Sequence, residues 1–180
     1  MAERSVLRMG HPALMRPADP VSEFGSAALD QLVRDLWDTM RAYQGVGLAA
    51  TQIGEPWRVV VFGREHDELG SGQPTVPRTA LVNPVITPLD DESVAGWEAC
   101  LSVPGLRGWV PRHNRIRYQG RDPGGEPIDR VAEGYHARVV QHECDHLDGV
   151  LYPMRMTDLS LLGFDEELRL ADLEAASRED

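Results

Sequence analysis

The sequence contains no lysine; all 18 of its basic residues are arginine. This excludes enzymes that form a Schiff base through lysine, enzymes that anchor pyridoxal phosphate on one, and phosphate-binding loops that end in one. Cysteine is scarce as well, with only Cys100 and Cys144. The composition therefore speaks against a disulfide-stapled secreted scaffold and makes a metal-binding or catalytic thiol worth seeking. No apolar run approaches the roughly 20 residues that cross a bilayer, and residues 1–10 lack the apolar stretch of a secretory signal. A soluble cytoplasmic protein is expected. Basic charge is outweighed, 18 residues against 29 acidic ones, for a net charge of −11. That balance argues against direct nucleic-acid binding and against adhesion to an anionic membrane.

What is present is an ordinary globular composition, 42% hydrophobic and 26% charged over 180 residues, the length of one domain spanning 1–180. Residues 1–24 carry Pro12, Pro17 and Pro20 with little periodicity and read as an extended arm. Leu29, Leu32, Val33, Leu36, Trp37 and Met40 make one helical stripe that Ser26 can cap, ending near Gly45. Residues 57–62 and 80–86 read as strands joined by a polar, mobile connection over 64–78. A hairpin is expected from 115–119 and 127–131 around Asp122-Pro123-Gly124-Gly125. A second helix spans 135–147, bounded by Gly149 and Pro153. Val140, Cys144 and Leu147 form its apolar face, and Arg138, Gln141, Asp145 and Asp148 a polar one. The segment 165–180 is acidic, with seven acids against two arginines, and reads as a solvated or frayed tail. Strands mixed with two separated helices predict a single α+β domain, its sheets antiparallel or mixed around the second helix.

That helix carries His142-Glu143-Cys144-Asp145-His146. Two histidines four apart project side by side and can grip one divalent ion, while Glu143 reaches a water on that ion. An open catalytic site needs a third protein ligand. Continuation as a metzincin fails, because Tyr152 stands where a histidine is required. Glu166, twenty residues after His146, could serve as in thermolysin-like proteases but reads better as a solvated surface acid. Cys100, in Trp97-Glu98-Ala99-Cys100-Leu101-Ser102, would complete a soft Cys-His-His set and is favoured modestly, with Cys144 left as a core residue. A third segment, Gly45-Val46-Gly47-Leu48-Ala49-Ala50-Thr51-Gln52, mimics a dinucleotide fingerprint but follows a helix and precedes a strand, the reverse of what that motif needs. Its small residues instead permit close approach of a substrate backbone, with the Gln52 amide available to an oxyanion.

Together the three segments resemble the peptide deformylase family, whose motifs are Gly-φ-Gly-φ-Ala-Ala-x-Gln, Glu-Gly-Cys-φ-Ser and His-Glu-φ-Asp-His, with φ an apolar residue. The resemblance covers about residues 5–165 and extends to Val103-Pro104, Arg107 and Val110-Pro111-Arg112. One departure is Ala99, where the family motif has glycine. The resemblance implies a metallohydrolase that removes formyl groups from the N-terminal methionine of new proteins, releasing formate. It implies Cys100, His142 and His146 as metal ligands, Glu143 as the acid-base group, and Gln52 with the Leu101 N–H as oxyanion donors. Gly45, Gly47 and Arg107 would meet the peptide, Gly47 by strand-like pairing, and Tyr135 and Val139 would line a methionine pocket. The implied metal is ferrous iron, with zinc, nickel or cobalt as alternatives. N-formylmethionyl nascent chains are the implied partner, with transient ribosome contact and no membrane. Arg112 is expected to pair with Asp145, and His11, His66, His113 and His136 are expected at the surface. The competing readings are a zinc endopeptidase using Glu166 and a non-catalytic metal module.

Overall fold

The computed structural model describes residues 3–64 and 75–168. The connection expected to be mobile falls largely outside them, as do His66 and the tail beyond residue 168.

Helix α1 (Ala27–Ala42) forms where the apolar stripe lies, and the Ser26 hydroxyl accepts from the Leu29 N–H at 3.3 Å. Strands β1 (Gly47–Ala49), β2 (Val59–Phe62) and β3 (Thr79–Pro88) follow, then β4 (Ser93–Cys100), β5 (Val103–His113), β6 (Arg115–Arg121) and β7 (Pro127–Glu133). Helix α2 (Gly134–Leu147) and a short β8 (Leu162–Phe164) complete the described elements. Two sheets result, one ordered β1-β2-β3-β6-β7 and one ordered β4-β5-β8. Every strand pairing is antiparallel; an isolated bridge between Asp19 and Trp57 is parallel.

The strand β2 explains how the larger sheet is built. Alternate side chains point to opposite faces, and here both faces are apolar. Val59 and Val61 join Leu29, Leu32, Leu36 and Met40 under α1, whereas Val60 and Phe62 join Ala137, Val140, Cys144 and Leu147 under α2. A helix thus covers each face, which is why 59–62 reads as an uninterrupted apolar run rather than an alternating one. A smaller core of Cys100, Val103, Val110, Leu151 and Tyr152 fills the space between the second sheet and the end of α2.

Three expectations need correction. The β4–β5 hairpin does not stand out as strands in the sequence, because Pro104, Gly105, Gly108 and Pro111 interrupt its apolar pattern. Its register nevertheless runs from Ser93↔His113 to Ala99↔Arg107 before a shift at Cys100. The polar face of α2 is not solvated: Gln141 and Asp145 are buried, and Asp148 alone of the four is exposed. The Gln141 amide accepts from the His113 N–H at 3.1 Å and donates to the His113 carbonyl at 2.8 Å, capping the hairpin's far end. His136 is half-buried rather than superficial, with its ring edge-on to Tyr118 at 5.6 Å between centroids. His11 and His113 are exposed as expected.

Candidate active site

The register shift after Ala99 ends β4 in a tight turn through Leu101 and Ser102, which turns Cys100 inward against α2. The Cys100 Sγ lies 3.3 Å from His146 Nε2. One ligand atom each from Cys100, His142 and His146 fall within 4.8 Å of one another, a span that one divalent ion can bridge. Soft thiolate with two imidazoles suits zinc and the later first-row metals. Glu166, the rival third donor, is exposed and outside this cluster.

Glu98 organises the cluster, a role the sequence does not signal. Its Oε2 sits 2.7 Å from His142 Nδ1, which leaves Nε2 to face the cluster. Burial would raise the Glu98 pKa, but hydrogen bonds from Arg112 and His142 hold it far below the usual carboxylate range. Arg112 donates to Glu98 through Nε at 2.9 Å and Nη2 at 3.0 Å, and through Nη1 to Asp145 at 2.5 Å. The Arg112–Asp145 pair therefore forms as expected. Arg138 adds a donor to Glu98 at 2.9 Å, and Arg155 a donor to Asp145 at 2.7 Å. Both carboxylates are buried and fully engaged, which makes such charges tolerable away from water.

Burial opposes ionisation of Cys100, but the facing His146 and His142 bring its thiol well below its ordinary pKa. Burial likewise disfavours a charged His142, yet its bonds to Cys100 and Glu98 raise its pKa well above the ordinary value. Cys144, by contrast, points into the α2 core, where burial pushes its thiol upward. Glu143 is buried with its pKa pushed up to about 7, chiefly by desolvation. Its Oε2 has no hydrogen-bond partner among the described residues. This carboxylate rests against Gly47, where an added Cβ would fall 2.3 Å from Glu143 Oε1. Glycine at 47 is thus required by Glu143 itself.

Gln52 lies in a 3-10 turn (Ala50–Ile53) after β1. Its Oε1 accepts from the Ala49 N–H at 2.8 Å, and its Nε2 donates to Ser102 Oγ at 3.1 Å and weakly to Cys100 Sγ at 3.6 Å. The amide is thereby aimed at the cluster. A cavity of about 520 Å³ opens above these groups, lined by Gly45, Gly47, Gln52, Cys100, Leu101, Arg107, His142 and Glu143 among others. That volume suits a small organic or peptide substrate. Tyr135 and Val139 line it as expected. The Gly45 carbonyl is held by Arg64, whose Nη2 donates to it at 2.6 Å. Ala99 is an exposed strand residue on the cavity wall, and its backbone is not in the left-handed region. A methyl group there costs no backbone strain.

Asp165 also lines the cavity, paired with Arg107, although the sequence places it at the start of a solvated tail. The signal that could have found it is the apolar Leu162-Gly163-Phe164 immediately before, which pairs with β5 as β8.

The geometry agrees with likeness to known proteins. A family model described as polypeptide deformylase matches residues 3–161. Peptide deformylase 2 of Ralstonia nicotianae is 54% identical over 165 residues, covering 92% of this chain and 93% of that protein. Peptide deformylase 1 of Bordetella pertussis is 56% identical over 164 residues, covering 91% and 93%. Among solved structures, a class I type b peptide deformylase from Acinetobacter baumannii with Met-Ala-Ser bound superposes with a TM-score of 0.81 at 35% identity, covering 86% of this chain and 99% of that one. The enzyme from Thermotoga maritima gives 0.77 at 35% identity, covering 88% and 100%. With the family model matching most of its length and relatives more than half identical, the chain belongs to the peptide deformylase family, hydrolases that remove the formyl group from the N-terminus of new peptides.

Proposed function

We propose that Cys100, His142 and His146 hold the divalent ion of this deformylase and that Glu143 is its acid-base group. The observation that carries the reading is the convergence of the three donors beside a buried carboxylate with an unpartnered oxygen. Bound there, the ion would acidify a water and polarise the formyl oxygen. Glu143, desolvated to a pKa of about 7, takes the proton from the attacking water and returns it to the departing amine. Gln52 Nε2 and the Leu101 N–H donate to the developing oxyanion, each contributing roughly 3 kcal/mol by analogy with other oxyanion holes. The edge strand β1 offers Gly47 to an extended peptide, Gly45 lies beside it, and Arg107 meets the peptide further along.

Ferrous iron is the proposed resident metal, ahead of zinc, nickel and cobalt, on the family resemblance. N-formylmethionyl nascent chains are the proposed partner, with transient ribosome contact and a cytoplasmic location following from where such chains arise. Among the described residues no helix is long and apolar enough to cross a membrane. The test is formate release from a short N-formyl-Met peptide by protein prepared anaerobically with ferrous iron. Glu143→Ala is expected to lower kcat about 10²- to 10⁴-fold while retaining the ion. Cys100→Ser should lose the ion by elemental analysis, and Glu166→Gln should keep it; the reverse pattern overturns the ligand assignment. Full activity in Glu143→Ala overturns the assignment of the base.

A further inference from the structure

Arg107 and Asp165 face each other across the β5–β8 pairing, where Arg107 lies opposite Gly163. Both side chains line the catalytic cavity, and both remain partly exposed, at 40% and 29%. On its other side Arg107 is the cross-strand partner of Ala99, the residue before Cys100. Its guanidinium therefore stands at the cavity wall about two or three extended residues from the reacting carbon. At that distance a free tripeptide presents an α-carboxylate, whereas a growing chain presents only another amide. A cation at this position would by itself favour the short peptide, because a guanidinium binds a carboxylate in preference to a neutral carbonyl. The other cation deep in this wall, Arg138, is committed to Glu98 and to the carbonyls of Val94 and Val110. Arg107 is answered instead by a carboxylate carried in from the far end of the chain.

We propose that Asp165 is a specificity-determining residue: it occupies Arg107 as an internal stand-in for a peptide carboxylate, so that the cavity does not select short peptides with a free C-terminus over longer chains. The interaction is suited to the task, since a half-exposed ion pair is weak enough not to bar Arg107 from a peptide carbonyl. It also requires β8, which holds the stretch before Asp165 against β5. This inference rests on Arg107 facing the bound peptide, as in the preceding reading.

The test compares formyl-Met-Ala-Ala with its C-terminal amide, reading the ratio of kcat/KM for acid over amide. In Asp165→Asn the ratio is expected to rise about three- to fivefold, mainly through KM, the size of one exposed ion pair. Asp165→Glu should restore the original ratio, and Arg107→Gln combined with Asp165→Asn should abolish the rise. A merely structural role would change acid and amide alike and leave the ratio fixed. An unchanged ratio in Asp165→Asn, or a rise that persists without Arg107, overturns the proposal. Thermal melts of each variant show that the comparison is made on folded protein. Absence of turnover on the amide by the unaltered enzyme would instead count against the catalytic assignment, so the two failures are distinguishable.

Discussion

The two helices are similar in length but treat their polar residues in opposite ways. α1 buries Leu29, Leu32, Leu36 and Met40 on one stripe and leaves most of its opposite side to water. α2 buries Gln141, Glu143, Asp145 and His146 along with its apolar residues. Water solvates the polar side of α1. On α2 the second sheet must do so, through Arg112, Arg138, Glu98 and the His113 backbone. Stability in α1 is a matter of apolar area; in α2 it depends on every buried charge having its partner.

Replacing Arg112 tests the comparison hardest. Arg112→Met strands Glu98 and Asp145 as buried carboxylates, and a loss of about 3–5 kcal/mol is expected in urea unfolding. The same network makes α2 sensitive to acid. Glu98 has a folded pKa below its unfolded value, so its contribution is complete above about pH 4.5 and is lost as pH falls through that value towards the folded pKa. Denaturation followed between pH 6 and 3 should show this slope, and Glu98→Gln should flatten it. In α1, Leu36→Ala removes a fully buried side chain, for an expected loss of about 2–5 kcal/mol with little pH dependence. Ser26→Ala, which deletes the cap, should cost about 1 kcal/mol by thermal melt. If Leu36→Ala proved strongly pH-dependent, or Arg112→Met were harmless, the division of roles between the helices would fail.

Legibility followed the same division. α1 lies within two residues of its sequence reading at each end, because its stripe, cap and stop are all local signals. β6, β7 and the turn at 122–125 were legible for the same reason, with the Gly125 N–H donating to the Asp122 carbonyl at 3.0 Å. The chemical residues of α2 were legible from spacing alone, since positions four apart share a helical face. The partners of α2 were not. Glu98 lies 44 residues from His142 and Asp165 lies 58 from Arg107, and nothing in either local pattern announces the meeting.

The sequence by itself determined the helices, most of the larger sheet, the Cys-His-His donor set and the general base, because each rests on periodicity, capping or motif spacing within a few residues. Only the tertiary structure decided that β4 and β5 form a hairpin, that Gly47 is glycine to make room for Glu143, that Glu98 aims His142, and that Asp165 meets Arg107. Those outcomes depend on which surfaces are brought together and deprived of water, and the cost of burying a charge is set by neighbours distant in the chain.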